Sequence, residues 1–203
     1  MTNTWADVLD SASSDVRRLD YVDRFSSIPV LIKENVSAHS YWVSLYSVLI
    51  HRHLQGDDSL LGAILLHAVT HDLTEALTGD VVRTFKYSSP EFKTAVDTAE
   101  DNLFPMLHES VRELFPLWQQ LAGVNYDYVK AVVKAADFVS LHQYMVREMD
   151  RGNKEIAPFA ARMINDLFAE GEKFAKSSNP KIAQIGGLFS MMAKTHVSGK
   201  RTP

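Results

Sequence analysis

Apolar residues recur every three to four positions along most of this 203-residue chain, and strand-like alternation of any length is missing. The clearest run is 127–151, where Val129, Val132, Val133, Ala136, Leu141 and Met145 share a face and Gly152-Asn153 closes the helix. A second helix is expected from Asn35 or Ser37, either a fitting N-cap, to about residue 54, on a stripe of His39, Val43, Tyr46 and Ile50. QGDDS is a turn, and 60–77 follows as a helix with Leu61, Ile64, Leu65 and Ala68 inward and Gly79 near its stop. Ser89-Pro90 opens another at 91–108, PLWQQLAGVNY is a less regular crossing, and further helices are expected at about 156–174 and 182–194. The first 24 residues carry Trp5, Val8, Leu9, Val16, Leu19 and Val22 among Ser and Asp, the pattern of one or two short amphipathic helices. SSIPVLIKEN, interrupted by Pro29, is an irregular connection, and DVVRTFKYSSP is a loop. The pattern predicts an all-α, compact bundle of about seven to nine helices. A single domain is expected over 1–197, with a disordered tail at 198–203.

Composition narrows the chemistry. With 46% apolar and 23% charged residues the chain has an ordinary globular make-up. A formal charge of −4 and a pI near 6.0 create no field for a nucleic-acid polymer. There is no cysteine, which removes disulfides, thiolate nucleophiles and cysteine-based zinc sites. MTNTWADVLD lacks the basic segment and apolar run of a signal peptide, and the apolar stretches fall short of the roughly 20 residues that span a bilayer. A cytoplasmic protein without a membrane partner is expected.

Three expected helices carry a polar residue on the face that should be buried: His39, His71 and Asp137. An ionised carboxylate on an apolar face is costly unless paired or bound to a metal. Only Lys134 lies within a turn of Asp137, and it is expected to point elsewhere. His71 is followed directly by Asp72, so imidazole nitrogen and carboxylate oxygen are offered to one point. Two imidazoles and two carboxylates from three helices make a set suited to one divalent ion. His67, one turn before His71, is expected in the core or behind the ligands, and the remaining histidines are too scattered to serve a second metal. Glu75, one turn after Asp72, should reach the same point as general base or acid.

These residues fall into longer strings. ENVSAHS (34–40), HDLTEALTGD (71–80) and KAADFVS (134–140), preceded by Arg24-Phe25, resemble the bacterial HD-domain 5′-deoxynucleotidases and are similar to phage HD-domain dNTP phosphohydrolases, some specific for dATP. The resemblance implies an HD-type fold and removal of the 5′-phosphate or polyphosphate from 2′-deoxynucleotides. It implies His39, His71, Asp72 and Asp137 as ligands of one divalent ion (Co, Mn, Mg or Zn), with Glu75 as the catalytic glutamate. It also implies Asp80 as a substrate-contacting aspartate, Arg24 as the phosphate-facing arginine, and a homo-oligomer. Two alternatives stand beside it: a catalytically silent nucleotide-binding module, and an HD-fold di-iron oxygenase, which wants more histidine ligands.

The chain departs from the family pattern twice. Phe25 replaces a tryptophan and loses its indole N–H. Val81-Val82-Arg83 replaces Leu-Pro-Thr, and two readings of Arg83 stand: with Lys86 behind it, it takes a longer phosphate chain in a two-pronged contact, or it points to solvent. On the first reading Arg83→Ala is expected to lower turnover of dATP about tenfold more than that of dAMP; equal losses on both substrates would remove the idea.

Overall fold

The computed structural model describes residues 5–14, 16–81, 86 and 88–198. Helix α1 (Trp5–Ser14) and a 3-10 segment (Val16–Tyr21) lead into an irregular loop, then α2 (Val36–His53) and α3 (Leu61–Thr70). A four-residue helix α4 (Glu75–Thr78) follows, then α5 (Pro90–Leu103), the short α6 (Glu109–Arg112) and α7 (Leu114–Ala122). The chain closes with α8 (Tyr126–Asp150), α9 (Ala157–Ala175) and α10 (Pro180–Ser198). Among the described residues there is no strand, only one isolated bridge between Asp23 and Asn35. The expected all-α architecture is present. Residues 199–203 of the expected tail lie outside the described residues, and Ser198 is still helical.

Local chemistry explains the boundaries. Asn35 caps α2 by accepting the Ala38 N–H at 2.9 Å, and Ser89 caps α5 just before Pro90. Three expectations need correction. The helix expected at 91–108 stops at Leu103, because Pro105 lacks an N–H and the chain tightens into a 3-10 turn, Phe104–Met106. The stretch PLWQQLAGVNY is regular instead: Pro116 falls in the first turn of α7, where its missing donor costs nothing, and Gly123 at φ +50° ends the helix. The helix expected at 60–77 breaks after Thr70. Thr70 Oγ1 donates to Leu66 O (2.8 Å) and His71 Nδ1 lies 2.7 Å from Ala68 O, so side chains compete for carbonyls a continuing helix would use.

Helix α8 runs through the middle, with Val129, Val132, Ala135, Ala136 and Phe138 buried and α2, α3, α7, α9 and α10 packed around it. A smaller cluster of Leu19, Val36, Leu73, Ala76, Leu107 and Val111 fastens the 3-10 segment to α2, the 71–76 turn and α6. Asp58–Thr78 is, against expectation, long and apolar enough to cross a membrane, at a mean hydropathy of 1.2. Here it is broken at 71–74 and turns Ala63, Ile64 and Ala68 into the core.

Helices α9 and α10 form a hairpin whose contact depends on two missing side chains. A Cβ on Gly186 would stand 2.8 Å from Gly171 O, and one on Gly171 would stand 2.9 Å from Phe189 Cβ. Gly187, one residue on, faces open space. Alanine at either α10 position gains about 1 kcal/mol of helix propensity, but at Gly186 about 1–3 kcal/mol of overpacking against backbone opposes it. Urea unfolding should show Gly187→Ala stabilised by several tenths of a kcal/mol or more and Gly186→Ala destabilised; matched shifts would refute the close contact.

Candidate metal centre

The break after Thr70 shapes the centre. Past it the chain closes with tight bonds, Leu73 N to Thr70 O and Glu75 N to Asp72 O, and so brings His71, Asp72 and Glu75 round toward α2 and α8. His39 comes from α2, one turn past its cap, and Asp137 from the middle of α8. One ligand atom each from His39, His71 and Asp72 lies within 4.8 Å of the others, the arrangement of a metal site. His71 Nε2 stands 3.1 Å from Asp72 Oδ2, and His39 Nε2 stands 3.6 Å from Asp72 Oδ2 and 3.4 Å from Asp137 Oδ1. Asp137 is not one of the mutual three, but it borders the cluster through His39.

The second nitrogen of each ring is committed elsewhere. His71 Nδ1 must donate to Ala68 O, since a carbonyl only accepts, and this leaves the Nε2 lone pair free in the neutral ring. His39 Nδ1 meets Ser140 Oγ at 3.0 Å. Both Nε2 atoms are buried without an aligned hydrogen-bond partner. Two buried ring nitrogens without an aligned partner, beside carboxylate oxygens, fit a bound cation.

Electrostatics agree with the geometry. Burial, with Arg24 adding to it, lowers His39 to about 4, so its ring is neutral at pH 7. Burial opposes protonation of His71, but the Asp72 carboxylate outweighs it and raises the ring. Burial would also raise Asp72, yet His71 and His39 hold it at about 2. Asp137 is likewise held well below its ordinary value against burial, by His39 and by Lys134. Here the sequence expectation fails: Lys134 Nζ lies 3.6 Å from Asp137 Oδ2, three residues along the helix. Glu75 goes the other way. Burial first, then the Asp72 and Asp80 carboxylates, push it up to about 9.

His67 is half-buried and stacks on the core residue Trp118, at 4.0 Å between ring centres. Lys86 pairs with Glu100 at 2.8 Å, and Arg83 lies outside the described residues. Asp80 follows Gly79, whose φ of +73° suits glycine. Burial raises Asp80, although its Oδ2 accepts the Phe25 N–H at 3.3 Å. Phe25 itself is held at φ +60°, which costs a residue with a Cβ about 1–2 kcal/mol. Its ring stacks on Tyr144 at 4.4 Å, and the Arg24 guanidinium lies over the Phe25 ring, 4.9 Å from its centre.

A clamp that sequence reading did not find holds this loop. Glu148 is fully buried and accepts the N–H groups of Leu31 (2.8 Å) and Ile32 (2.9 Å) and the Asn153 amide (2.6 Å). Tyr144 donates to Ile32 O and Asn153 to Pro29 O. Asp137, Ser140, Tyr144 and Glu148 follow one another at helical spacing on α8, so one stripe serves the cluster, the His39 tether, the Phe25 stack and the clamp.

The model of the YfbR-like 5′-deoxynucleotidase family matches residues 13–176. The chain belongs to this family. The 5′-deoxynucleotidase YfbR of Shigella boydii is 31% identical over 146 residues, 68% of this chain and 72% of that one. A 5′-deoxynucleotidase of Yersinia pseudotuberculosis is 29% identical over 160 residues, 74% and 79% of the two chains. Among solved structures, the HD phosphohydrolase DatZ of cyanophage S-2L, bound to dA and one catalytic Zn²⁺ ion, has a TM-score of 0.61 at 15% identity over 96% of this chain and 98% of that one. That likeness establishes a shared HD-type fold.

Removing the clamp carboxylate strands three donors, so Glu148→Ala should cost about 3–5 kcal/mol and Glu148→Gln less. Burial would raise the pKa of Glu148, but the Leu31 N–H, the Asn153 amide and the Ile32 N–H hold it below its ordinary 4.5. The unfolded chain therefore takes up the proton first: the stabilisation is complete above pH 4.5 and fades as pH falls below it. Acid unfolding followed by circular dichroism should be less steep below that pH in Glu148→Gln, and an unchanged profile would exclude the clamp.

Proposed function

We propose that this protein is a metal-dependent phosphohydrolase that removes the 5′-phosphate from 2′-deoxynucleotides and releases the deoxynucleoside. The observation that carries the reading is the pair of buried Nε2 atoms, neither with an aligned hydrogen-bond partner, converging with Asp72 beside a glutamate whose proton is held tightly. Membership of a family of 5′-deoxynucleotidases supports the monophosphate as substrate, with Arg83 and Lys86 the residues through which a longer phosphate chain would be held.

In this reading His39, His71, Asp72 and Asp137 hold one divalent ion, of which Zn, Co, Mn and Mg suit the mixed nitrogen and oxygen set. The ion supplies polarisation of a phosphoryl oxygen and a lower pKa for a bound water. The chain does the rest. Ala68 O and Ser140 Oγ orient the two rings so that Nε2 faces inward. Arg24 presents donors to the phosphoryl oxygens, where negative charge grows during transfer. Glu75, protonated at neutral pH, would give its proton to O5′ as the P–O5′ bond breaks, and the carboxylate left behind would take up a proton from the attacking water. Asp80, anchored by the Phe25 N–H, accepts from the sugar 3′-hydroxyl, and Phe25 walls the sugar.

A silent nucleotide-binding module would have no use for Glu75, and a di-iron oxygenase needs a second ligand cluster, whereas one is found among the described residues. Phosphate release from dAMP should require added Co²⁺ or Mn²⁺ after chelation. Glu75→Ala should lower kcat about 10²–10⁴-fold while leaving metal uptake, read by calorimetry, intact. Phosphate release that survives both chelation and Glu75→Ala would end this reading.

A further inference from the structure

We propose that Glu34, the first residue of the ENVSAHS string, is a positioning residue that aims Arg24 at the substrate phosphate; this rests on the phosphate-facing reading of Arg24 above. Glu34 and Arg24 are joined twice. Arg24 N donates to Glu34 O at 2.9 Å beside the Asp23–Asn35 bridge, and Arg24 Nη1 donates to Glu34 Oε1 at 2.8 Å. Both side chains are nearly buried, 12% and 9% exposed, so the pair is shielded from the competition with water that weakens surface ion pairs.

The next residue connects this pair to the cluster. Asn35 caps α2, Ser37 Oγ donates to Asp20 Oδ1, and His39 lies one turn beyond the cap. Arg24 is thus referenced to His39 through five residues of one rigid helix start. Its alternatives are close by. Arg24 lies near enough to Asp80 and Glu75 to oppose the rise that burial imposes on both carboxyls, and a guanidinium released from Glu34 would turn toward them and away from an incoming phosphate. Glu34 takes Nη1 and leaves the other donors of the guanidinium fork to the ligand.

Charge alone would argue the opposite. Glu34 also feels Arg147, so removing its charge makes the surroundings of Arg24 more positive and, with no positioning role, should favour a phosphate. The two accounts therefore differ in sign.

The test uses the metal-loaded full chain with Glu34→Gln, which keeps an acceptor in place, Arg24→Gln and the double variant. Two quantities are read: kcat/KM for a deoxynucleoside 5′-monophosphate, and the inhibition constant of the product deoxynucleoside, which has no phosphate. Glu34→Gln is expected to lower kcat/KM about tenfold, leave the inhibition constant unchanged, and add no further loss in the Arg24→Gln background. A rise in kcat/KM, equal shifts in both quantities, or the same loss with and without Arg24 would each overturn the proposal. Should Arg24→Gln itself leave kcat/KM unchanged, the assignment of Arg24 to the phosphate falls, and Glu34 with it; a loss in Arg24→Gln without one in Glu34→Gln sinks Glu34 alone.

Discussion

Ring nitrogens and carboxylate oxygens crowded into one largely buried space are the constraint around which this molecule is built. His39 and His71 each present Nε2 inward while Asp72 and Asp137 keep their negative charge. Removing such groups from water costs several kcal/mol per ion unless compensating charge is supplied. Lys134 supplies some of it to Asp137 from the rim, at 3.6 Å and with a side chain 39% exposed. The remainder calls for positive charge at the focus of the ligand atoms, and affinity for a cation follows from what the fold has concentrated there.

The surrounding structure keeps that crowd in place. Ala68 O and Ser140 Oγ fix the rings from behind. The 71–74 turn replaces a straight helix and bends Asp72 and Glu75 to one side. The loop from Val22 to Val36 is closed at its neck by backbone bonds and at its tip by Glu148 and Asn153, which explains how Phe25 is kept in a left-handed conformation that it would abandon in a free chain. Strain at that residue presents its N–H to Asp80, so the two candidate substrate residues are coupled through one backbone bond.

What could be read from the sequence was what short-range pattern encodes. His39, His71 and Asp137 stood out because polar groups on apolar helical faces are expensive, and they do meet. Helix starts were legible where an oxygen-bearing cap precedes the run, as at Asn35 and Ser89. The break at 71–74 was not legible, since apolar periodicity continues across it and the cause is side-chain capture of carbonyls. Helix α7 was hidden because Pro116 and Gly123 look like breakers, although both sit at helix ends where each is tolerated. The Lys134–Asp137 pair was within reach of an i,i+3 rule, but rotamer direction decides it. The Glu148 clamp spans more than a hundred residues, and no local pattern announces it.

Helix α8 carries Asp137, Ser140, Tyr144 and Glu148 along a single stripe. Inserting or deleting one residue between any two of them would rotate everything beyond by about 100°. The cluster and the loop clamp would then face different directions. The span from Asp137 to Glu148 consequently acts as a ruler whose eleven steps can change in kind but not in number.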